Sequence, residues 1–365
     1  MLEYNIIDTL NNLNENAMFR LSLTSKELFH SNFWAWLIKK YPLKFTSIFY
    51  SKYDGHTIPQ VLREKYNFDL LLIIENKFII IENKFKSLPD KNQLDRYIEK
   101  ANKQGWDNEL VLVSYMPPSF PLKNFISYND LYSHLSNIDL SDIQIQDKAI
   151  IENYIECIGL LIKLQKSDIF NTEILSEFWN KYNDEKLNEE LKEINFGLTI
   201  QKIFMGKLVN FINKQTNRTS YISTGSSHVV YADFYGNNPE AFITLCCNGE
   251  YRYMFKINKD DTHNQKEDLI KFCDEKYGQF LSDKKCVTKR KNYNCFMGKE
   301  CAWIYKKKNV VPNTSFNELA NIINKDLIEL DNMYKKYTKW YTSRFDVVCS
   351  YNQIVNKSKR IQCQD

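Results

Sequence analysis

The sequence predicts a mixed α/β protein: an α-β-β-β-α-β core, then a helical connector, then a mixed α/β C-terminal domain. Three observations predict it. Two runs of branched and aromatic residues, Leu70–Ile74 and Phe78–Ile81, flank the polar Glu75-Asn76-Lys77 and read as a β-hairpin. A third apolar run, Glu109–Met116, is bounded by Trp106-Asp107-Asn108 and Pro117-Pro118 and reads as a buried strand. Helical sequence between the hairpin and this strand completes a βαβ unit, which is expected to be right-handed and parallel. The domain bounds expected on this reading are 1–145, 146–215 and 216–365.

Composition fits that class and removes others. At 365 residues, 43% hydrophobic and 14% aromatic, the chain can bury a proper core and divide into two domains. A formal net charge of +4 announces no globally basic nucleic-acid binder. Nine cysteines, an odd count without a Cys-x-x-Cys pair, point to a reducing, cytoplasmic setting. Cys286, Cys295 and Cys301 lie close in sequence at a spacing that fits no zinc pattern, and read as packing residues. Met1–Glu15 carries acids and asparagines without a sustained apolar stretch, and no run approaches the ~20 apolar residues of a membrane span, so no membrane partner is expected.

Taken in order, residues 2–16 form an amphipathic helix with Leu2, Ile6, Ile7, Leu10 and Leu13 on one stripe. Thr24-Ser25-Lys26-Glu27 reads as a helix start, with Thr24 as cap, and the helix runs to Tyr41-Pro42. Val61–Glu64 reads as a short first strand, and Glu64 as a further acid near the hairpin or a solvated one. After the hairpin, Ser87–Lys91 is a loop and Asn92–Lys103 a helix, closed by Gly105 in a left-handed cap. Helices are expected at Ser127–Leu135, Ile150–Leu164, 172–192 and 197–213. Strands follow at Ser220–Phe234, Ala241–Cys247 and Tyr251–Ile257, then a helix at Gln265–Phe280, strands near Tyr293–Tyr305 and a helix at Ser315–Tyr341.

Three charges interrupt the apolar hairpin: Asp69, Glu82 and Lys84. Alternation sends Glu82 and Lys84 to one face. A two-residue loop at Asn76-Lys77 pairs Glu75 with Phe78 and places Asp69 opposite Lys84 and Leu71 opposite Glu82. All three charges then crowd one face at one end of the hairpin. Two carboxylates there are costly to desolvate unless something pairs them, and a hard divalent cation such as Mg²⁺ is one such partner. Asp69, Glu82 and the Asn83 carbonyl are the candidate ligands, and Lys84 the group that orients a bound water or balances its charge. Against this stands the ordinary use of charged residues at strand ends and edges to block aggregation.

The order of parts resembles the core of the PD-(D/E)xK nuclease superfamily: an acid on one strand, a turn, Glu-x-Lys on the next strand, then a helix. That helix carries Gln93-x-x-x-Tyr97, similar to the Gln-x-x-x-Tyr signature of the RecB-like branch, with both residues on one helical face. Glu27-x-x-His30-Ser31 near the N-terminus and Ile81-Glu82-Asn83-Lys84 in the hairpin resemble one group within the superfamily, and Asn67-Phe68 stand where a Pro would precede the acid. The resemblance spans roughly residues 20–130. It implies a restriction-endonuclease-like core and a metal-dependent endonuclease or exonuclease using Mg²⁺ or Mn²⁺. Asp69, Glu82 and Lys84 would be catalytic, with Gln93 and Tyr97 supporting them. It further implies DNA as substrate, with RNA as the alternative, and a role in prokaryotic (antiviral) defence against foreign DNA. Glu27, otherwise a capping-box residue, becomes an extra metal ligand on this likeness, and His30, otherwise a buried polar filler, a phosphate or water contact.

One further feature lies outside the resemblance. Between Leu281 and Val310, nine Lys/Arg face two acids, with Tyr293, Phe296, Trp303 and Tyr305 interleaved. Lys284, Lys285, Lys289, Arg290 and Lys291 are candidate nucleic-acid contacts, or else the solvated face of a hairpin. Two function classes therefore stand: a metal-dependent nuclease, and a catalytically idle nuclease-fold module that binds nucleic acid, a partner protein or a second copy of itself.

Overall fold

The computed structural model describes residues 4–25, 27–118, 120–218, 220–224, 229–258, 295–297, 301–309 and 313–345. The chain divides into two compact units, one from residues 1–210 with 222–230, the other from 211–221 with 231–365.

The first unit opens with α1 (Ile6–Glu15), which begins later than the apolar stripe suggests because Asn5 caps it, accepting from the Asp8 amide. Next come α2 (Ala17–Ser25) and α3 (Glu27–Lys40), so Thr24 lies within a helix instead of starting one. Pro42, expected only to end α3, opens α4 (Pro42–Phe49), its fixed φ suiting a first helical turn.

Strand β1 (Gln60–Arg63) leads to the hairpin β2 (Leu70–Ile74) and β3 (Lys77–Lys84), then α5 (Lys91–Lys103), β4 (Asp107–Ser114) and β5 (Phe125–Ser127). The sheet order is β1-β2-β3-β4-β5, and β3 and β4 are parallel, as the expected βαβ crossover requires. The turn differs from expectation. Ile74 pairs with Lys77, so the loop is Glu75-Asn76, with Glu75 left-handed at φ 53°. Leu71 therefore faces Ile80 instead of Glu82, and extending the ladder past Leu70 and Ile81 sets Asp69 opposite Glu82 instead of Lys84. A slip of two residues keeps every side chain on its face, so the convergence survives the correction.

That face is the one under α5. Leu71, Ile80, Leu110 and Leu112 bury against Leu94 and Ala101 of the helix, with Phe68 closing the cluster. Because Phe78, Ile80, Glu82 and Lys84 alternate onto the same side, the acids are the polar continuation of an apolar stripe. The opposite side of the hairpin faces α3, where the Phe85 ring meets His30 at 4.8 Å.

Helices α6 (Tyr128–Ser136), α7 (Ile145–Gln165), α8 (Leu175–Tyr182), α9 (Glu185–Glu193) and α10 (Gly197–Thr216) follow. The single helix expected over 172–192 breaks because Asp184 caps a new one, accepting from the Leu187 amide. In the second unit, the expected strand over 220–234 is two strands, β6 (Ser220–Thr224) and β7 (Val230–Tyr235). These join β8 (Ala241–Cys246), β9 (Glu250–Asn258), β10 (Cys295–Met297) and β11 (Cys301–Asn309) in a sheet ordered β10-β11-β9-β8-β7-β6. Helix α11 (Phe316–Phe345) lies against β8, with Leu319, Ile323 and Leu327 buried. The helix expected at 265–280 lies outside the described residues. Among the described residues, no helix is long and apolar enough to cross a membrane.

Candidate active site

Asp69 sits just before β2, and its Oδ2 accepts from the Asn83 amide at 3.1 Å, which ties the two hairpin strands at their open end. Glu82 Oε1 accepts from Lys84 Nζ at 2.6 Å and from Gln93 Nε2 at 2.9 Å. Gln93 Nε2 also donates to the Tyr97 hydroxyl oxygen at 2.7 Å. One helical turn separates Gln93 from Tyr97, so α5 presents both to the acid from above. The register and the helix spacing thus bring Asp69, Glu82, Lys84, Gln93 and Tyr97 into one cluster.

Its electrostatics are unusual for a structural ion pair. Glu82 is 1% exposed, and its second oxygen, Oε2, is buried without a hydrogen-bond donor. Burial first, then the charge of Asp69, push the Glu82 carboxyl up to about 7, and Lys84 opposes them without prevailing. Asp69 is also raised, chiefly by burial, against the Asn83 amide and the Lys84 charge. Burial and the neighbouring Glu82 push Tyr97 up to about 12. One ammonium cannot neutralise two carboxylates, so the pair either retains a proton or accepts a second cation.

The remaining expected site residues are placed elsewhere. Asn83 alternates to the α3 side, where its Nδ2 lies 3.5 Å from the Glu27 carbonyl oxygen and its Oδ1 is buried without a donor. Glu27 shares no hydrogen bond with Asp69 or Glu82, though its charge raises Asp69 and it feels that of Lys84. Its Oε1 accepts from the Lys86 amide, the Ser87 amide and the Ser87 hydroxyl at 3.1, 2.9 and 2.8 Å. Among the described residues, no three His, Cys, Asp or Glu side chains gather as a metal-ligand group. His30 is wholly buried among the rings of Phe29, Phe85, Tyr128 and Tyr154, with Nδ1 2.9 Å from the Tyr154 hydroxyl. Burial pushes its pKa down to about 3, so it is a neutral core histidine out of reach of any phosphate. Glu64 is exposed and its side chain pairs with Arg63 at 3.3 Å, while its amide donates to the Asp69 carbonyl at 3.4 Å. Lys284, Lys285, Lys289, Arg290 and Lys291 lie outside the described residues. Sequence reasoning missed Ser87, which it read only as loop.

A family model described as PD-(D/E)XK nuclease superfamily matches residues 44–205. The matched segment contains Asp69, Glu82, Lys84, Gln93 and Tyr97, begins after Glu27 and His30, and runs on through α6–α9 into α10. No curated protein and no solved structure matches the chain.

Proposed function

On the premise that residues 44–205 belong to the PD-(D/E)XK nuclease superfamily, we propose that this chain is a divalent-metal-dependent nuclease hydrolysing phosphodiester bonds of DNA. The observation that carries the reading is Glu82: a buried carboxylate across from Asp69, with one oxygen held by Lys84 and Gln93 and the other without a donor. A core built for stability has little use for two buried carboxyls facing one ammonium, where burial raises both acids and the Asp69 charge raises Glu82 further.

The donor set fits a hard cation. Asp69, Glu82 and the main-chain carbonyl of Asn83 offer oxygens only, the chemistry that Mg²⁺ or Mn²⁺ requires. When bound, such an ion acidifies a coordinated water and offsets the charge that develops on the phosphoryl oxygens. The chain's own groups do the rest. Lys84 Nζ, held 2.6 Å from Glu82 Oε1, presents an ammonium to the attacking water and the scissile phosphate. Gln93 fixes Glu82 Oε1, and the carboxyl would be one of the groups that hold the ion. Tyr97 keeps its hydroxyl proton through the neutral range and completes the polar lid from α5. A role in prokaryotic defence against foreign DNA is proposed on the family likeness alone.

Incubation of the full chain with plasmid, linear duplex and single-stranded DNA, and with RNA, plus Mg²⁺ or Mn²⁺, tests this reading. Cleavage of DNA that needs the metal and disappears in Lys84→Ala is the expected result. Cleavage retained in that variant, or absent with every substrate and metal, contradicts it.

A further inference from the structure

Glu27 stands outside the proposed chemistry, yet it is among the most heavily engaged acids of the first unit. It is the first residue of α3, and a carboxylate there normally serves its own helix end. Here one oxygen also gathers three donors from the two residues that lie just beyond Lys84 and Phe85. Burial raises its pKa, but the Ser87 amide and hydroxyl, its own amide and the Lys84 charge together outweigh it and hold the carboxyl below the usual range. The same loop is gripped from another side. Lys202 Nζ of α10 donates to the Lys86 carbonyl at 2.7 Å, and Lys86 Nζ donates to the Asn195 carbonyl at 3.2 Å while lying 4.9 Å from the Phe196 ring. The α3 contact also reaches back to the strand, through Asn83 Nδ2 on the Glu27 carbonyl.

A strand end is the part of a hairpin most prone to fray, and Lys84 is the last residue of β3. Its ammonium has to stay near 2.6 Å from Glu82 for the site to keep its charge pattern. We propose that Glu27 is a positioning residue: by binding the Lys86 and Ser87 amides and the Ser87 hydroxyl it fixes the exit of β3, and thereby the Glu82–Lys84 pair, without ligating a metal. This rests on the nuclease reading for its consequence, though not for its structural content. It distinguishes two roles that one residue type at one position could play. A ligand needs the negative charge, whereas a clamp needs only an acceptor oxygen, which glutamine also offers.

The test uses full-length Glu27→Gln, Glu27→Ala and Ser87→Ala, each checked by thermal unfolding. Amide hydrogen exchange across residues 82–88, Mn²⁺ affinity by calorimetry, and kcat and KM for cleavage are then compared. The clamp predicts that Glu27→Ala speeds exchange at Lys86 and Ser87 by about tenfold or more, with Ser87→Ala intermediate and Glu27→Gln near wild type. It predicts Mn²⁺ affinity within about twofold of wild type in Glu27→Gln, and a kcat in Glu27→Ala down by about tenfold that glutamine restores, with KM little changed. Mn²⁺ affinity lost in Glu27→Gln would make Glu27 a ligand, and unchanged exchange in Glu27→Ala would remove the clamp; either overturns the proposal. Should Glu27→Ala fail to fold, Glu27→Gln and Ser87→Ala still decide it. The exchange and Mn²⁺ readings remain informative if the wild type cleaves nothing, so failure of the clamp and failure of the nuclease reading are separable.

Discussion

Glu82 in the first unit and Asp331 in the second are both buried acids, at 1% and 4% exposure, and their surroundings are opposites. Asp331, on α11, accepts with one oxygen from the Asn237 amide at 2.9 Å and with the other from the Asn238 amide at 3.2 Å. The turn approaches so closely that a Cβ at Gly236 would lie 2.5 Å from the carboxylate, which explains glycine there. Both oxygens are satisfied by main chain, and the acid acts as a bolt between helix and sheet. Asp326, one and a half turns earlier, likewise accepts from the Tyr251 and Tyr253 hydroxyls at 2.9 and 2.8 Å. Glu82 has a carboxylate for its neighbour, a single ammonium, and an oxygen without a donor. The same chain therefore knows how to satisfy a buried acid and, at the hairpin end, does not. On the proposed reading, the tension tolerated beside a second acid serves chemistry, whereas the satisfied Asp331 serves stability.

Substitutions sharpen that contrast. The largest effect is expected on cleavage: Asp69→Ala or Glu82→Ala, assayed by metal-dependent DNA hydrolysis, should lower kcat/KM by roughly three orders of magnitude while leaving thermal stability intact or improved. Asp331→Ala should do the reverse. It orphans two amides and costs about 2–4 kcal/mol in a denaturant titration of the second unit, with cleavage by the surviving folded protein unchanged.

The pH dependence of stability separates the two kinds of burial next. In metal-free buffer, an unfolded Glu82 ionises above about 4.5, but the folded one keeps its proton to about 7, so stability falls as pH rises through that window. Glu82→Gln removes the penalty and should stabilise the protein at pH 8 by on the order of 2 kcal/mol, with little change below pH 4.5. His30 has the opposite sign. Unfolded it takes a proton below about 6.5, folded only near 3, so stability falls as pH drops from 6.5 toward 3. The slope is at most about 1.4 kcal/mol per pH unit, and His30→Phe should flatten it in acid-unfolding curves. The smallest effect belongs to Tyr97→Phe, which removes the acceptor for Gln93 and a hydroxyl beside Glu82 while leaving the Lys84 and Gln93 donors in place. A loss of about tenfold or less in kcat is expected, with unchanged metal affinity.

Much of the site was legible in the sequence because it depends on short-range periodicity. Alternation along Phe78–Lys84 put Glu82 and Lys84 on one face, and a turn misplaced by one residue moved partners by two without moving faces. The four-residue spacing of Gln93 and Tyr97 did the same for α5. What failed depends on distant sequence. The Ser87 donors of Glu27 lie 60 residues away, so its role could not be read from its own helix. His30 lies on α3, whose buried residues, Phe33, Trp34, Ala35, Leu37 and Ile38 among them, wrap around more than one face, so no stripe shows where the histidine points. The break before Asp184 was hidden because no Pro or Gly interrupts 172–192, and only the Asp184 cap on the Leu187 amide marks the new start.

The central claim is that Asp69 and Glu82 are held together for a divalent cation. Calorimetric titration of the full chain with Mn²⁺ at pH 7, in buffers of different ionisation enthalpy, tests it most directly. Saturable binding that releases protons is expected, because ligation strips the proton that the metal-free pair retains, with both heat and proton release abolished in Asp69→Asn with Glu82→Gln. Mn²⁺ bound with the same affinity by that double variant, or no binding by the wild type, would contradict it.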